Sequence, residues 1–187
     1  MRLDAGDIYI RFVESGDAAA MLDLLTRNRS FFAPFEPRRP ADQWTEEAQR
    51  ALLTATAERR ERGDEYGFGV FLAENDLLIG RANLSNIVRR AFKNAYLGYY
   101  LDQAYTGRGH MSVAVDAVVD FAFGPGHLHR VQAAVMPDNV ASIRVLQKVG
   151  FRQEGFAPNY LRIDGAWRDH NLYAITAEDR LQSGNLA

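Results

Sequence analysis

The sequence predicts one α/β domain with a mixed sheet, spanning residues 1–187. Three observations carry that expectation. Strand-like and helix-like apolar patterns alternate in the order β-α-α-β-β-β-α-β-α-β-β. The stretch "YTGRGHMSVAVDAVVDFAF", residues 105–123, places two glycines one residue apart ahead of a long apolar helix. The chain then closes with two β-rich runs around the turn pair Asp164-Gly165.

The elements follow in order. "IYIRFV" (Ile8 to Val13) is β-rich. Ser15 and Asp17 offer caps for a helix carrying Met21, Leu22, Leu24 and Leu25 at helical spacing. "SFFAPFEPRRPADQ" has three prolines and three phenylalanines, and reads as an aromatic loop. A second helix runs from about Thr45 to Arg62, with Gly63 as its left-handed stop. "YGFGVFLA" and "LLIGRANLS" flank the turn "END" as a hairpin, and "NAYLGYYL" is a third run with Gly98 inside it. In the third helix Ser112, Asp116 and Asp120 form a narrow polar stripe on an otherwise apolar surface. "HRVQAAVM" is a strand, and "PDNVASIRVLQKVG" is a helix entered after Pro137 and stopped at Gly150. "FRQEGFAPNYLRI" and "WRDHNLYAIT" form the terminal hairpin.

Composition removes several function classes. A net charge of -2 gives no global basic field, so direct nucleic-acid binding is not expected. The absence of cysteine excludes disulfides, thiolate metal sites and a cysteine nucleophile. The N-terminus carries early acids and no apolar stretch of the secretory type, and no run reaches the roughly 18 residues of a membrane span. A cytoplasmic protein, monomer or homodimer, without membrane contact, is the resulting expectation.

A strand, a glycine loop and a buried helix make the geometry in which free backbone N–H groups face an anion. Taken alone, the spacing of Gly107 and Gly109 also fits a tight turn with no ligand. The Walker pattern is demoted because His110-Met111 follows Gly109, and the dinucleotide fingerprint because position 112 is Ser. Gly98 within its strand suggests a bulge or a close backbone approach. Asn139 or Asp138 reads as a helix cap, and Ser142 as a polar position one turn in. His127 and His129 lack the further ligands a metal site needs, so no metal is expected. Asp169 with His170 is a candidate distant base.

Together the "Y-T-G-R-G-H-M" loop, the apolar helix, the strand and "N-x-x-S-x-R-V-L-x-K-x-G-F" resemble the GNAT superfamily of acetyl-CoA-dependent N-acetyltransferases. "NYLRIDGAWRDHNLYAIT" and "APFEPRRP" look like its ribosomal-protein-alanine branch. The resemblance spans nearly the whole chain. It implies a mostly antiparallel central sheet splayed around acetyl-CoA, which would be the cosubstrate. Thr106, Gly107, Arg108, Gly109, His110, Met111 and Ser112 would serve the pyrophosphate. Leu97, Gly98 and Tyr99 would line the pantetheine arm, and Asn139 its end. Ser142 would lie near the sulfur, while Arg144 and Lys148, with Arg108, would serve the outer phosphates. Phe31, Phe32, Phe35 and Tyr160 would border the acceptor, a protein N-terminus.

The sequence departs from that family at informative places. Thr106 and Met111 stand at the ends of the loop where other residues are usual, Met111 as in the ribosomal branch. Leu146 occupies the position of a tyrosine that many members use as the acid, and Tyr96 that of a glutamate. Ser142 and Tyr96 are therefore the remaining catalytic candidates by position. An α-amine of pKa near 7.7–8 costs only about 1–1.4 kcal/mol to deprotonate at pH 7, against about 4.6 kcal/mol for a lysine amine. An α-amine acceptor thus needs little from a dedicated base, and direct attack on the thioester is the expected mechanism. Acetylation of a small amine such as a polyamine or aminoglycoside, or a non-catalytic acyl-CoA-binding or ribosome-associated module, are the alternatives.

Overall fold

A computed structural model describes residues 1–182 of the chain. One eight-stranded sheet runs in the order β1-β2-β3-β4-β5-β6-β8-β7. The strands are β1 (Arg2–Ala5), β2 (Ile8–Phe12), β3 (Tyr66–Leu72), β4 (Leu78–Val88), β5 (Asn94–Leu101), β6 (Arg130–Val135), β7 (Arg152–Ile163) and β8 (Ala166–Thr176). Every neighbouring pair is antiparallel except β5 and β6. The helices are α1 (Ala18–Arg27), α2 (Arg29–Phe32), α3 (Glu46–Arg62), α4 (His110–Phe123), α5 (Val140–Val149) and α6 (Ala177–Gln182).

The strand pleat sorts side chains between two cores. Phe68 and Val70 point to the face covered by α4 and α5, where they join Val115, Val118 and Leu146. Phe71 points the other way, onto Met21 and Leu24 of α1 and Leu53 of α3. The helix ends are built as their sequences imply. Thr45 accepts from the Ala48 N–H at the start of α3, and Gly63, at φ 74, stops it. Gly150, at φ 96, does the same for α5.

Four local expectations change. Arg2–Ala5 is a strand, added to β2 as a short hairpin whose alternating exposure leaves no apolar face to detect. The aromatic loop contains α2 and two short 3₁₀ turns, because Phe32 buries itself against Tyr100 and pulls the chain into a turn. Asp17 does not cap α1 with its side chain; the carboxylate accepts from both terminal nitrogens of the Arg11 guanidinium at 2.7 Å. The polar stripe of α4 is not simply solvated: Asp116 and Asp120 both grip Arg180 of α6, which is 2% exposed.

The sheet divides where β5 meets β6. Their parallel pairing lasts only from Asn94↔Arg130 to Tyr96↔Gln132. Beyond Tyr96, β5 stays bonded to β4 as far as Leu101, while β6 stays bonded to β8 through Val135. Each strand follows the twist of its other partner, so the two part after Tyr96 and leave a gap in the pairing of the sheet.

Candidate active site

The gap is bordered by β5 on one side and by β6 leading into α5 on the other. Between β5 and α4 runs the glycine loop. A short 3₁₀ turn at Gln103–Tyr105 is capped by Asp102, and the Thr106 hydroxyl donates to the Gln103 carbonyl. Gly107 and Gly109 adopt φ 77 and 87, and a Cβ built on either would meet nothing within 4 Å. The backbone conformation therefore selects glycine here, not a crowded neighbour. Gly109 caps α4 with no side-chain bond. Among the described residues the backbone N–H groups of residues 107–112 have no protein acceptor. These donors, at the start of a 14-residue helix, make a cradle for an anion. The buried Nδ1 of His110 also lacks a partner there.

The remaining cofactor-side candidates lie around this cradle. Met111 packs into the core, and Ser112 is half-buried in the first turn of α4. Arg108 folds back, donating to the Ala104 carbonyl at 3.2 Å and lying over the Tyr105 ring. Arg144 and Lys148 are exposed on α5. Asn139 caps α5, its Oδ1 accepting from the Ser142 N–H at 3.1 Å, and its NH₂ group makes no bond among the described residues. Leu97 is buried. Gly98 pairs in register with Asn83, with no bulge, and its closest neighbour is the Asn83 side-chain oxygen, 3.1 Å from where a Cβ would stand. The close approach is thus to a side chain, and the bulge of this hairpin lies between Ser85 and Val88.

Tyr99 carries the least anticipated contact. Its hydroxyl crosses to α5 and lies 2.7 Å from Ser142 Oγ and 3.0 Å from the Ser142 carbonyl. Burial pushes this phenol well above its ordinary range, more than the Ser142 hydrogen bond lowers it. Period-two alternation was the available signal: Tyr99 lies in the same row as Leu97 and Leu101, facing the helices, where a polar tip requires a partner. Leu146, one turn beyond Ser142, is 0% exposed and belongs to the core.

Tyr96 occupies the opposite face of β5, at the last residue before the divergence. A bulge between Ala157 and Leu161, with Asn159 at φ 49, re-aims Tyr160 toward it. Burial and the Tyr96 hydroxyl together raise the Tyr160 phenol above its usual value. The Tyr160 ring also lies 5.7 Å from that of His170, which is 3% exposed. The Asp169-His170 pair does not form: Asp169 accepts from the Asn159 N–H, and His170 Nδ1 bonds the Arg168 carbonyl. Adjacent strand residues face opposite sides, which separates the two. Phe32 is buried in the second core, Phe31 packs on its edge, and Phe35 is 42% exposed. The turn at Asp164 reaches this aromatic segment, where Arg38 Nε bonds Asp164 at 2.8 Å.

A gapped sheet with a free-amide cradle at one end is an architecture shared with known proteins. Residues 7–152 match the model of the acetyltransferase (GNAT) domain. The chain belongs to the GNAT acetyltransferase family. It is 46% identical over 172 residues to the Bacillus subtilis protein named "Probable N-acetyltransferase YjcK", covering 92% of this chain and 95% of that one. The crystal structure of the ribosomal-protein-S5-alanine acetyltransferase from Vibrio fischeri superposes with a TM-score of 0.92 at 35% identity, covering 96% and 98% of the two chains. RimJ of Mycobacterium smegmatis, solved with CoA-disulfide, gives 0.87 at 30% identity, covering 95% and 90%. As a GNAT acetyltransferase the chain has a thioester cosubstrate to hold. The free amides of 107–112 suit a pyrophosphate, and the unpaired edge of β5 beyond Tyr96 suits an amide-bearing arm.

Proposed function

We propose that this chain, as one N-acetyltransferase domain, acetylates the α-amine of a protein N-terminus, with alanine of a ribosomal protein as its acceptor. The observation that carries the cosubstrate half is the divergence of β5 and β6 beside the amide cradle of residues 107–112. The acceptor half rests on likeness to the S5-alanine acetyltransferase, and on side chains on that side of the gap that include no unpaired carboxylate among the described residues. Tyr96, Tyr160 and His170 meet there. Asp169 is turned to the Asn159 amide, and Glu65 to Arg59 and Arg81. A polycationic small amine would be better matched by unpaired carboxylates.

In this reading acetyl-CoA lies with its pyrophosphate on the loop amides and its pantetheine arm along residues 97–101. The α-amine nitrogen approaches past Tyr96 and Tyr160 and attacks the thioester carbonyl directly. Backbone N–H groups of the divergent β5 edge polarise that carbonyl. Water in the gap takes the amine proton, a small demand for a group with pKa near 8. Ser142 faces the departing sulfur.

The test is thiol release from acetyl-CoA by purified protein against peptides beginning with Ala or Ser, and against polyamines. Turnover is expected with the alanine-starting peptide. Preference for a polyamine would replace the acceptor, and no thiol with any amine would leave a binding module. Mass spectrometry of protein N-termini in a strain lacking this protein then names the natural acceptor.

A further inference from the structure

We infer that the Tyr99 hydroxyl is a positioning group that turns the Ser142 hydroxyl toward the departing sulfur, an assignment that rests on the acetyl-transfer reading above. Tyr99 and Ser142 hold two hydroxyl protons, and the mutual acceptors within reach are the Tyr99 oxygen, Ser142 Oγ and the Ser142 carbonyl. In one arrangement Ser142 donates to Tyr99 at 2.7 Å, and Tyr99 donates to the carbonyl at 3.0 Å. Both protons are then used. In the other, Tyr99 donates to Ser142 Oγ, which frees the serine proton for an outside acceptor.

A sulfur gaining negative charge is such an acceptor. Hydrogen bonds to charged groups are stronger than those between neutral ones, so charge on sulfur favours the second arrangement. Asn139 already caps the Ser142 N–H, so the helix start does not call on the serine hydroxyl. Burial keeps the Tyr99 phenol protonated, which suits a fixed donor and not an acid that gives its proton away. The amine lone pair forms the N–C bond, the C–S bond breaks and its electron pair stays on sulfur. The N–H proton leaves to water in the gap, and sulfur takes a proton from solvent. Ser142 and Tyr99 end with the protons they began with.

The test compares Tyr99→Phe, Ser142→Ala and the double variant, using acetyl-CoA and the alanine-starting peptide, with CoA binding measured separately by calorimetry. Tyr99→Phe is expected to lower kcat about tenfold to a hundredfold while CoA affinity stays within about twofold. Added to Ser142→Ala it should cost nothing more, because its effect passes through the serine. Ser142→Thr, which keeps a hydroxyl, should stay faster than Ser142→Ala. An unchanged kcat in Tyr99→Phe overturns the assignment, as does a double variant slowed by the full Tyr99 factor. Those results leave the acetyltransferase reading standing. A wild-type protein that binds no CoA, or releases no thiol with any amine, removes that reading and this one together.

Discussion

The two halves of the sheet are built from the same strand chemistry and end differently. From β1 to β4 every strand is bonded to a neighbour on each inner side, helices cover both faces, and two apolar cores are sealed. From β5 onward the ladder opens after Tyr96, and polar atoms are left without protein partners. Among the described residues the orphans include the amides of residues 107–112, His110 Nδ1, both amide atoms of Asn94 and Gln132 Oε1, while β1 to β4 hold Arg81 Nε. Buried polar groups are almost always satisfied in native proteins, so their concentration from β5 onward supports the cosubstrate placement proposed above. Both halves share the larger apolar core, and the open half also has polar groups left over.

That contrast can be broken by substitution. Phe68→Ala, in the sealed half, removes a fully buried ring that contacts Phe12 and Phe121. It should cost about 3–5 kcal/mol in urea unfolding, with activity per folded molecule retained. Leu146→Tyr, which installs the acid that many family members carry, should lose about 1–3 kcal/mol by overpacking and leave kcat no higher. A gain in kcat would mean that the Leu146 position faces the gap.

Gly109→Val should show the reverse pattern. A β-branched residue at φ 87 is strained by about 1–2 kcal/mol, but nothing lies within 4 Å of its Cβ, so the fold survives. The shifted loop amides should weaken CoA binding at least about tenfold by calorimetry, the effect of roughly 1.4 kcal/mol. Unchanged affinity would separate the glycine loop from the cosubstrate.

The smallest effect concerns acid. Burial pushes the Asp17 carboxyl up, but hydrogen bonds from Arg11 and the Glu14 amide and the charge of Arg11 bring it below its ordinary value. A depressed folded pKa contributes stability above the unfolded value of about 3.9 and loses it as pH falls through the lower folded one. Asp17→Asn should therefore lower the urea midpoint at neutral pH and flatten its decline below about pH 4. Activity at neutral pH should not change, because this pair lies at the sealed end of the sheet.

Much of this was legible in the sequence because it depends on local rules. Thr45 and Gly63 bound α3, Asp164-Gly165 makes the last hairpin with φ 44 and 82, and the polar–apolar periods assign both helices that flank the gap. Gly107 and Gly109 also report locally, since left-handed φ is a property of single residues. The terminal strand β1 and helix α6 escaped because short segments with few apolar positions leave no period to read.

What the sequence by itself determined is the element order, the turn chemistry and the glycine loop, all set by propensity within a few residues. Only the tertiary structure decided that β5 and β6 part after Tyr96, because that depends on the twist each strand takes from its other neighbour. It also decided that Tyr99 meets Ser142 across 43 residues, that Tyr160 turns in to Tyr96, and that Asp116 and Asp120 grip Arg180. Each of these joins elements distant in the chain, and no local rule sets the distance between them.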